Sequence, residues 1–283
     1  MKLIQAYFKK FKDIILLCFL MIASFIPQGF AKVDYSQTPV KELVEILKTG
    51  PDVDKWHVVH ELGRRGESAI EVVPVLIQAL KSEDKGFQYR AALALKSIDT
   101  VNSHNILVEF VDLSIDRLKD QSWRERKMAA DFLGEFGVEK AIPNLNGLLK
   151  DPHDRVKLSA GLAIIKILST QSPIEGMDET SVKKEVWTSL SELLGSNDQW
   201  IRAESALHLI EGQPDKDIER AQDVLRRSLI SSDRDFRVGL LFSMLASKGV
   251  KSVEKTSDIL EEIEKSGDAA EQHLARSLLK LLK

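Results

Sequence analysis

From residue 40 onward, apolar side chains recur at helical spacing in short blocks that pair two by two across polar turns. The clearest pair runs from Gly137 to Ile164. Ile142, Leu145, Leu148 and Leu149 share one face of its first block, and Pro143 suits the opening turn of a helix. Val156, Ala160, Ala163 and Ile164 do the same on the second block. The segment Asp151 to Asp154 between them, with Pro152 inside it, is turn chemistry. Some second blocks are apolar on more than one side. Leu158, Leu162 and Ile165 widen the Val156 stripe, and Leu207 and Ile210 widen that of Ile201 and Leu209. A helix apolar on two sides is sandwiched between neighbours, so the pattern predicts helical hairpins stacked side by side.

The rest of the chain lies on the same frame. A cation opens the second helix at Lys55, Arg126, Lys157, Arg202 and Arg237, with Gln88 and Glu271 as departures. Three and four residues later come small or apolar side chains: Val58 and Val59, Ala91 and Ala92, Ala129 and Ala130, Ala160 and Gly161, Ser205 and Ala206, Leu240 and Leu241, Leu274 and Ala275. The seventh position holds a large one, running Leu62, Leu95, Leu133, Ile164, Leu209, Met244 and Leu278. Successive frames are 33, 38, 31, 45, 35 and 34 residues apart, and the longest step contains an inserted loop near 171–180. An acidic residue recurs in the turns: Asp84, Asp120, Asp151, Asp198 and Asp233. Such a carboxylate is expected to cap orphan N–H groups of the following helix.

The motif Ala-Ile-Pro-x-Leu-x-x-Leu-Leu-x-Asp at 141–151, followed by Val156, Lys157 and an Ala/Leu-rich run, resembles the HEAT repeat, especially the subtype named after phycobilisome lyases. The resemblance implies an all-α fold, a right-handed α-solenoid of about seven HEAT-type hairpins over 40–283, behind an N-terminal linker at 32–39. It also implies that each turn Asp and the next cation form a structural ladder. It specifies fold and leaves function open.

The first 31 residues break the pattern. Lys2, Lys9, Lys10 and Lys12 precede an unbroken apolar run from Ile14 to Ile26, and Pro27 ends it. Small residues at Gly29 and Ala31 occupy the two positions a signal peptidase reads. The run suits a secretory signal peptide at 1–31 better than a membrane span, so cleavage is expected after Ala31. The alternative is a membrane-anchored adaptor that keeps the run. Cys18, the single cysteine, lies inside it, which leaves the mature chain without disulfide or thiolate chemistry. No Asn-X-Ser/Thr sequon occurs, which favours a bacterial envelope and thus a periplasmic or secreted protein. Loss of the signal removes four lysines and one aspartate, moving the net charge from −3 to −6. An acidic exported protein suits neither nucleic acid nor anionic membrane surfaces.

The helical reading agrees with the composition: aromatics are 6%, and 8 Pro and 15 Gly are too few for an all-β chain with many tight turns. Nucleophile elbows, P-loops, dinucleotide fingerprints and zinc-protease motifs are missing. His57, His60 and Glu61 lie within one helical turn and are the single candidate for a metal-binding or catalytic alternative. HEAT-like deoxyhypusine hydroxylases use several His-Glu pairs, and this chain has one, His60-Glu61. No catalytic residue, metal site or cofactor is therefore expected, and the protein is read as a non-enzymatic interaction scaffold.

Aromatic residues gather where the second helices begin: Trp56, Phe87, Tyr89, Trp123, Trp200 and Phe236. In HEAT solenoids the second helices line the concave face. Trp56, Tyr89, Trp123, Arg124, Arg126, Trp200 and Arg202 are accordingly the candidate contacts for a protein or peptide partner, because Trp, Tyr and Arg are enriched in binding hot spots. The last helix, with Leu274, Ala275, Leu278, Leu279, Leu281 and Leu282, is apolar on nearly every side, so residues 274–283 are a candidate for self-association.

Overall fold

The computed structural model describes residues 34–98, 104–170, 174–212, 217–247 and 249–282. The proposed signal peptide and its cleavage point lie outside them. The chain divides into two compact units, 33–186 and 187–283, and every regular element among the described residues is helical.

The first unit opens with α1 (Val40–Thr49) and α2 (Asp52–Arg65), entered through Pro39 and Pro51. A 3₁₀ segment, Gly66–Val72, runs into α3 (Val73–Ala79), which pairs with α4 (Lys85–Ile98). Next come α5 (His104–Arg117) with α6 (Trp123–Phe136), then α7 (Ile142–Leu148) with α8 (Asp154–Thr170). Pro74 and Pro143 both sit in the first turn of a first helix, where the missing N–H has no intrahelical partner to lose. Gly137 ends α6 in the left-handed region at φ 71°, and the N–H of Val138 returns to the carbonyl of Leu133. The helix α9 (Glu179–Leu193) carries the chain from this unit into the next. There α10 (Gln199–Gly212) follows, then α11 (Ile218–Leu229) with α12 (Arg234–Ser247). The last hairpin is broken in its first arm: α13 (Val250–Lys255) and α14 (Ser257–Ser266) precede α15 (Ala269–Leu279).

Second helices stack on second helices: α2 on α4, α4 on α6 and α6 on α8 in the first unit, α10 on α12 and α12 on α15 in the second. The frame read from the sequence is the core. The large residue at its seventh position is 0% exposed in all seven repeats, from Leu62 to Leu278. The small residues before it are buried as well. Small size has a purpose in this position. A methyl group built on Gly134 of α6 would lie 2.7 Å from the Cα of Ala163 in α8. On Gly63 of α2 it would lie 3.2 Å from the Cα of Ala94 in α4. Gly63 and Gly134 hold the same place in the repeat, so glycine facing alanine sets how closely successive second helices approach.

The last helix corrects one expectation. Leu274, Ala275 and Leu278 face inward and are buried, while His273, Arg276 and Lys280 are exposed. Arg276 donates to Glu264 of α14. The helix is therefore two-sided. Its apolar remainder is Leu279 and Leu281, both half-buried, and the exposed Leu282. The sequence pattern looked apolar all round because Leu281 and Leu282 belong to a terminal 3₁₀ turn that leaves the helical register.

Candidate functional site

The turns that open the second helices are built from one repeated set of bonds. The residue at the cation position reaches back six residues to a carbonyl of its own turn: Gln88 to Ser82, Arg126 to Asp120, Arg202 to Ser196 and Arg237 to Ser231. Gln88 thus replaces the cation as a donor, and its own carbonyl accepts from Arg117. The turn aspartates cap as their position requires. Asp84 accepts from the N–H of Phe87, Asp198 from Trp200 and Asp233 from Phe236.

These turns are also tied to the preceding repeat. Arg126 makes a two-bond pair with Asp151, at 2.7 and 3.0 Å, with both side chains largely enclosed. That pair raises the Arg126 guanidinium above its ordinary value. Trp56 Nε1 donates to Asp84, Gln199 to Asp233 and Arg234 to Asp268. Arg237 pairs with Glu271 at 2.7 Å. Glu271, the acidic departure from the frame, is therefore the acceptor the neighbouring arginine needs, and it closes a capping box with Asp268. The ladder extends between hairpins within each unit.

Against this frame the candidate partner contacts separate into two groups. Trp56 and Trp200 stand at the surface, 36% and 38% exposed. Trp123 is half-buried and stacks on His153 at 4.0 Å between ring centroids, with the exposed Arg124 guanidinium 4.7 Å from its ring. Trp200 meets Phe236 edge-on at 4.8 Å and lies over Gly239, where a methyl group would come within 2.2 Å of the indole. Trp56 lies over Gly86 and beneath Arg90, whose guanidinium is 4.7 Å from its ring. Each of these tryptophans leans forward across its own hairpin onto the next.

Tyr89 belongs elsewhere. It is 5% exposed and packs with Phe110 and Phe132 at centroid distances of 5.5 and 5.2 Å. Burial pushes its phenol upward, against the bond and charge of Arg117. It shares a frame position with Trp56, but α5 brings Phe110 and Arg117 onto it, so it serves the core of the α4–α6 region. Arg126 and Arg202 are structural as well, spent on their turns. The candidates left at the surface are Trp56 and Trp123 with Arg124 in the first unit, and Trp200 in the second.

The metal or catalytic alternative rests on His57, His60 and Glu61, and of these Glu61 is engaged by arginines. Both oxygens of Glu61 are taken by Arg64 and Arg65, at 2.7–2.9 Å. Burial opposes ionisation of Glu61, yet those bonds hold its carboxyl below the ordinary value. His60 is pushed down by burial and then by the charge of Arg90. Among the described residues no group of three His, Cys, Asp or Glu side chains comes together as a metal site.

One residue of this region escaped the sequence reading. Arg90 sits two positions after Gln88 on α4, and burial lowers its guanidinium while Asp84 opposes the shift. Its signal in the sequence is faint: an arginine beside the apolar pair Ala91 and Ala92, on a helix start already occupied by Phe87 and Tyr89.

Repeated two-helix units with stacked second helices, tied by a ladder at their turns, define a helical repeat protein of the α-solenoid class. Residues 40–116 match the family described as HEAT repeats, and the frame of that segment recurs through α15. No curated protein matches the sequence. Among solved structures it is similar to the complex of CpcE and CpcF of phycocyanin lyase from Nostoc sp. PCC7120, at 17% identity and a TM-score of 0.48. That match covers 91% of this chain and 100% of the other. It is also similar to a designed armadillo repeat protein in complex with the peptide (KR)4, at 17% identity and a TM-score of 0.37, covering 87% and 100%. An engineered protein matches at 21% identity and a TM-score of 0.37, covering 86% and 67%.

Proposed function

We propose that this protein is an exported, non-catalytic scaffold that docks a protein partner through surface tryptophans of its helical repeats. The observation that carries the reading is the exposure of Trp56 and Trp200, each laid across two successive hairpins and kept from the core. A tryptophan held by its neighbours and open on one face loses little conformational freedom on binding, which is the character of a hot spot. The engagement of Glu61 by two arginines supports the non-catalytic part. Export rests on the apolar run at 14–26 and the small residues before Lys32. Self-association through residues 274–283 is a weaker reading, since the outward face of α15 is polar.

The test is photo-crosslinking in the producing cell, with a benzophenone amino acid at Trp56 or Trp200 and, as reference, at exposed Glu71. A discrete adduct from the tryptophan positions and none from Glu71 is the expected result. Equal labelling from all three would end the proposal. N-terminal sequencing of the mature chain is expected to start at Lys32, and an intact N-terminus would replace the exported reading with the anchored one.

A further inference from the structure

On the reading that surface tryptophans dock a protein partner, the geometry points to a carboxylate-binding subsite formed by Arg90 over Trp56 and flanked by His57 and His60, which takes an acidic segment of that partner. Arg90 sits over the Trp56 ring. Its guanidinium lies 4.7 Å over the Trp56 ring, and among the described residues it makes no hydrogen bond or ion pair. Asp84, Glu61 and Asp52 already have hydrogen-bond partners of their own. Asp84 gives one oxygen to Trp56 Nε1 and the other to the N–H of Phe87. Glu61 is held by Arg64 and Arg65, and Asp52 by Lys55.

A half-buried guanidinium fixed on an indole face, with its planar N–H fork unused, is pre-arranged for a two-bond contact to a carboxylate. The cation–π contact restrains the guanidinium, so less freedom is left to lose when an anion arrives. His57 is exposed on α2, and His60 is half-buried on the same helix and senses the Arg90 charge. A cation here is notable in a chain whose net charge is negative. Next to it, the open face of Trp56 offers apolar area to a side chain adjoining the carboxylate.

The experiment measures fluorescence anisotropy of a fluorescein-labelled peptide of alternating Glu and Leu, titrated with the full chain. The same peptide with Gln for Glu, and one with Lys for Glu, serve as comparisons. The Glu peptide is expected to bind at least about tenfold more tightly than either, as a charge-assisted Arg–carboxylate contact requires. Arg90→Gln is expected to remove that preference with unchanged far-UV circular dichroism, and Arg90→Lys to restore part of it. Absence of Glu-peptide binding at millimolar protein overturns the inference, as does a full preference kept by Arg90→Gln. Displacement by inorganic phosphate as effective as by unlabelled Glu peptide would also overturn it, since the site would then read any anion. Adducts from Trp56 or Trp200 that persist in the Arg90→Gln chain would show that the scaffold reading stands while the acidic partner segment does not.

Discussion

Substituting Gly134 by Ala separates packing from helix propensity, because Gly63 provides a matched control at the same place in the repeat. The added methyl on Gly134 would lie 2.7 Å from the Cα and 2.8 Å from the Cβ of Ala163. Ordinary carbon contacts lie near ~3.5–4.0 Å, so α6 and α8 must part by roughly 0.7 Å or more. Overpacking of this kind costs about 1–3 kcal/mol, and the short contact to backbone puts this site at the upper end. Replacing glycine inside a helix returns about 1 kcal/mol. The net is a loss of about 2 kcal/mol for Gly134→Ala. At Gly63 the same methyl meets Ala94 at 3.2 and 3.3 Å, which a shift of a few tenths relieves. There the propensity gain offsets the strain, and Gly63→Ala is expected to be neutral or slightly stabilising. Stacked repeats unfold locally, so native-state hydrogen exchange suits the question better than a single melting curve. Amides of α6 and α8 should exchange roughly thirtyfold faster in Gly134→Ala, the rate equivalent of about 2 kcal/mol, and those of α2 and α4 should not in Gly63→Ala. Unchanged protection of α6 and α8 in Gly134→Ala would refute the claim that glycine sets the helix spacing.

Gly239→Ala places a methyl within 2.2 Å of the Trp200 indole and is expected to drive that ring outward. Iodide quenching of fluorescence should rise in the variant, and the Gly239→Ala, Trp200→Phe double variant should match Trp200→Phe alone. Arg126→Met leaves the enclosed Asp151 carboxylate without its guanidinium, a change that costs about 3–5 kcal/mol. Adding Asp151→Asn should recover a large part of it in urea unfolding, and a single-variant loss below about 1 kcal/mol would show the pair to be ornamental. His60 has its proton affinity lowered by burial and by Arg90, with His57 and Arg64 adding to the effect and Glu61 opposing it. Because the folded state binds this proton less readily than the unfolded chain, the His60 contribution is present above pH ~6.5 and is lost as pH falls below it. Imidazole titration by NMR should therefore place His60 below its ordinary value of ~6.5, and Arg90→Gln should move it upward. An unmoved His60 would mean that Arg90 does not face it.

The sequence reading recovered the core because that part of the frame is set by volume alone. A stacked second helix carries small or apolar residues three and four positions after the cation and a large one at the seventh, and Ala129, Ala130 and Leu133 state this without any partner being known. The aromatic positions were harder, since a tryptophan and a tyrosine at the same step of the frame met different fates. Trp56 stays at the surface because what lies ahead of it is Gly86, Asp84 and Arg90. Tyr89 goes inside because Phe110, Arg117 and Phe132 close over it. Exposure in a repeat array is thus decided by the next hairpin and by the helix laid across the turn, both outside the local pattern. Glu271 makes the same case from the side of charge. Alone it breaks the run of cations, but beside Arg237 it completes the ladder. Arg90 escaped the reading for a related reason: it is conspicuous only once Asp84, Glu61 and Asp52 are seen to have partners of their own. In a repeat array, a donor left over after the frame has satisfied itself is the residue to read for binding.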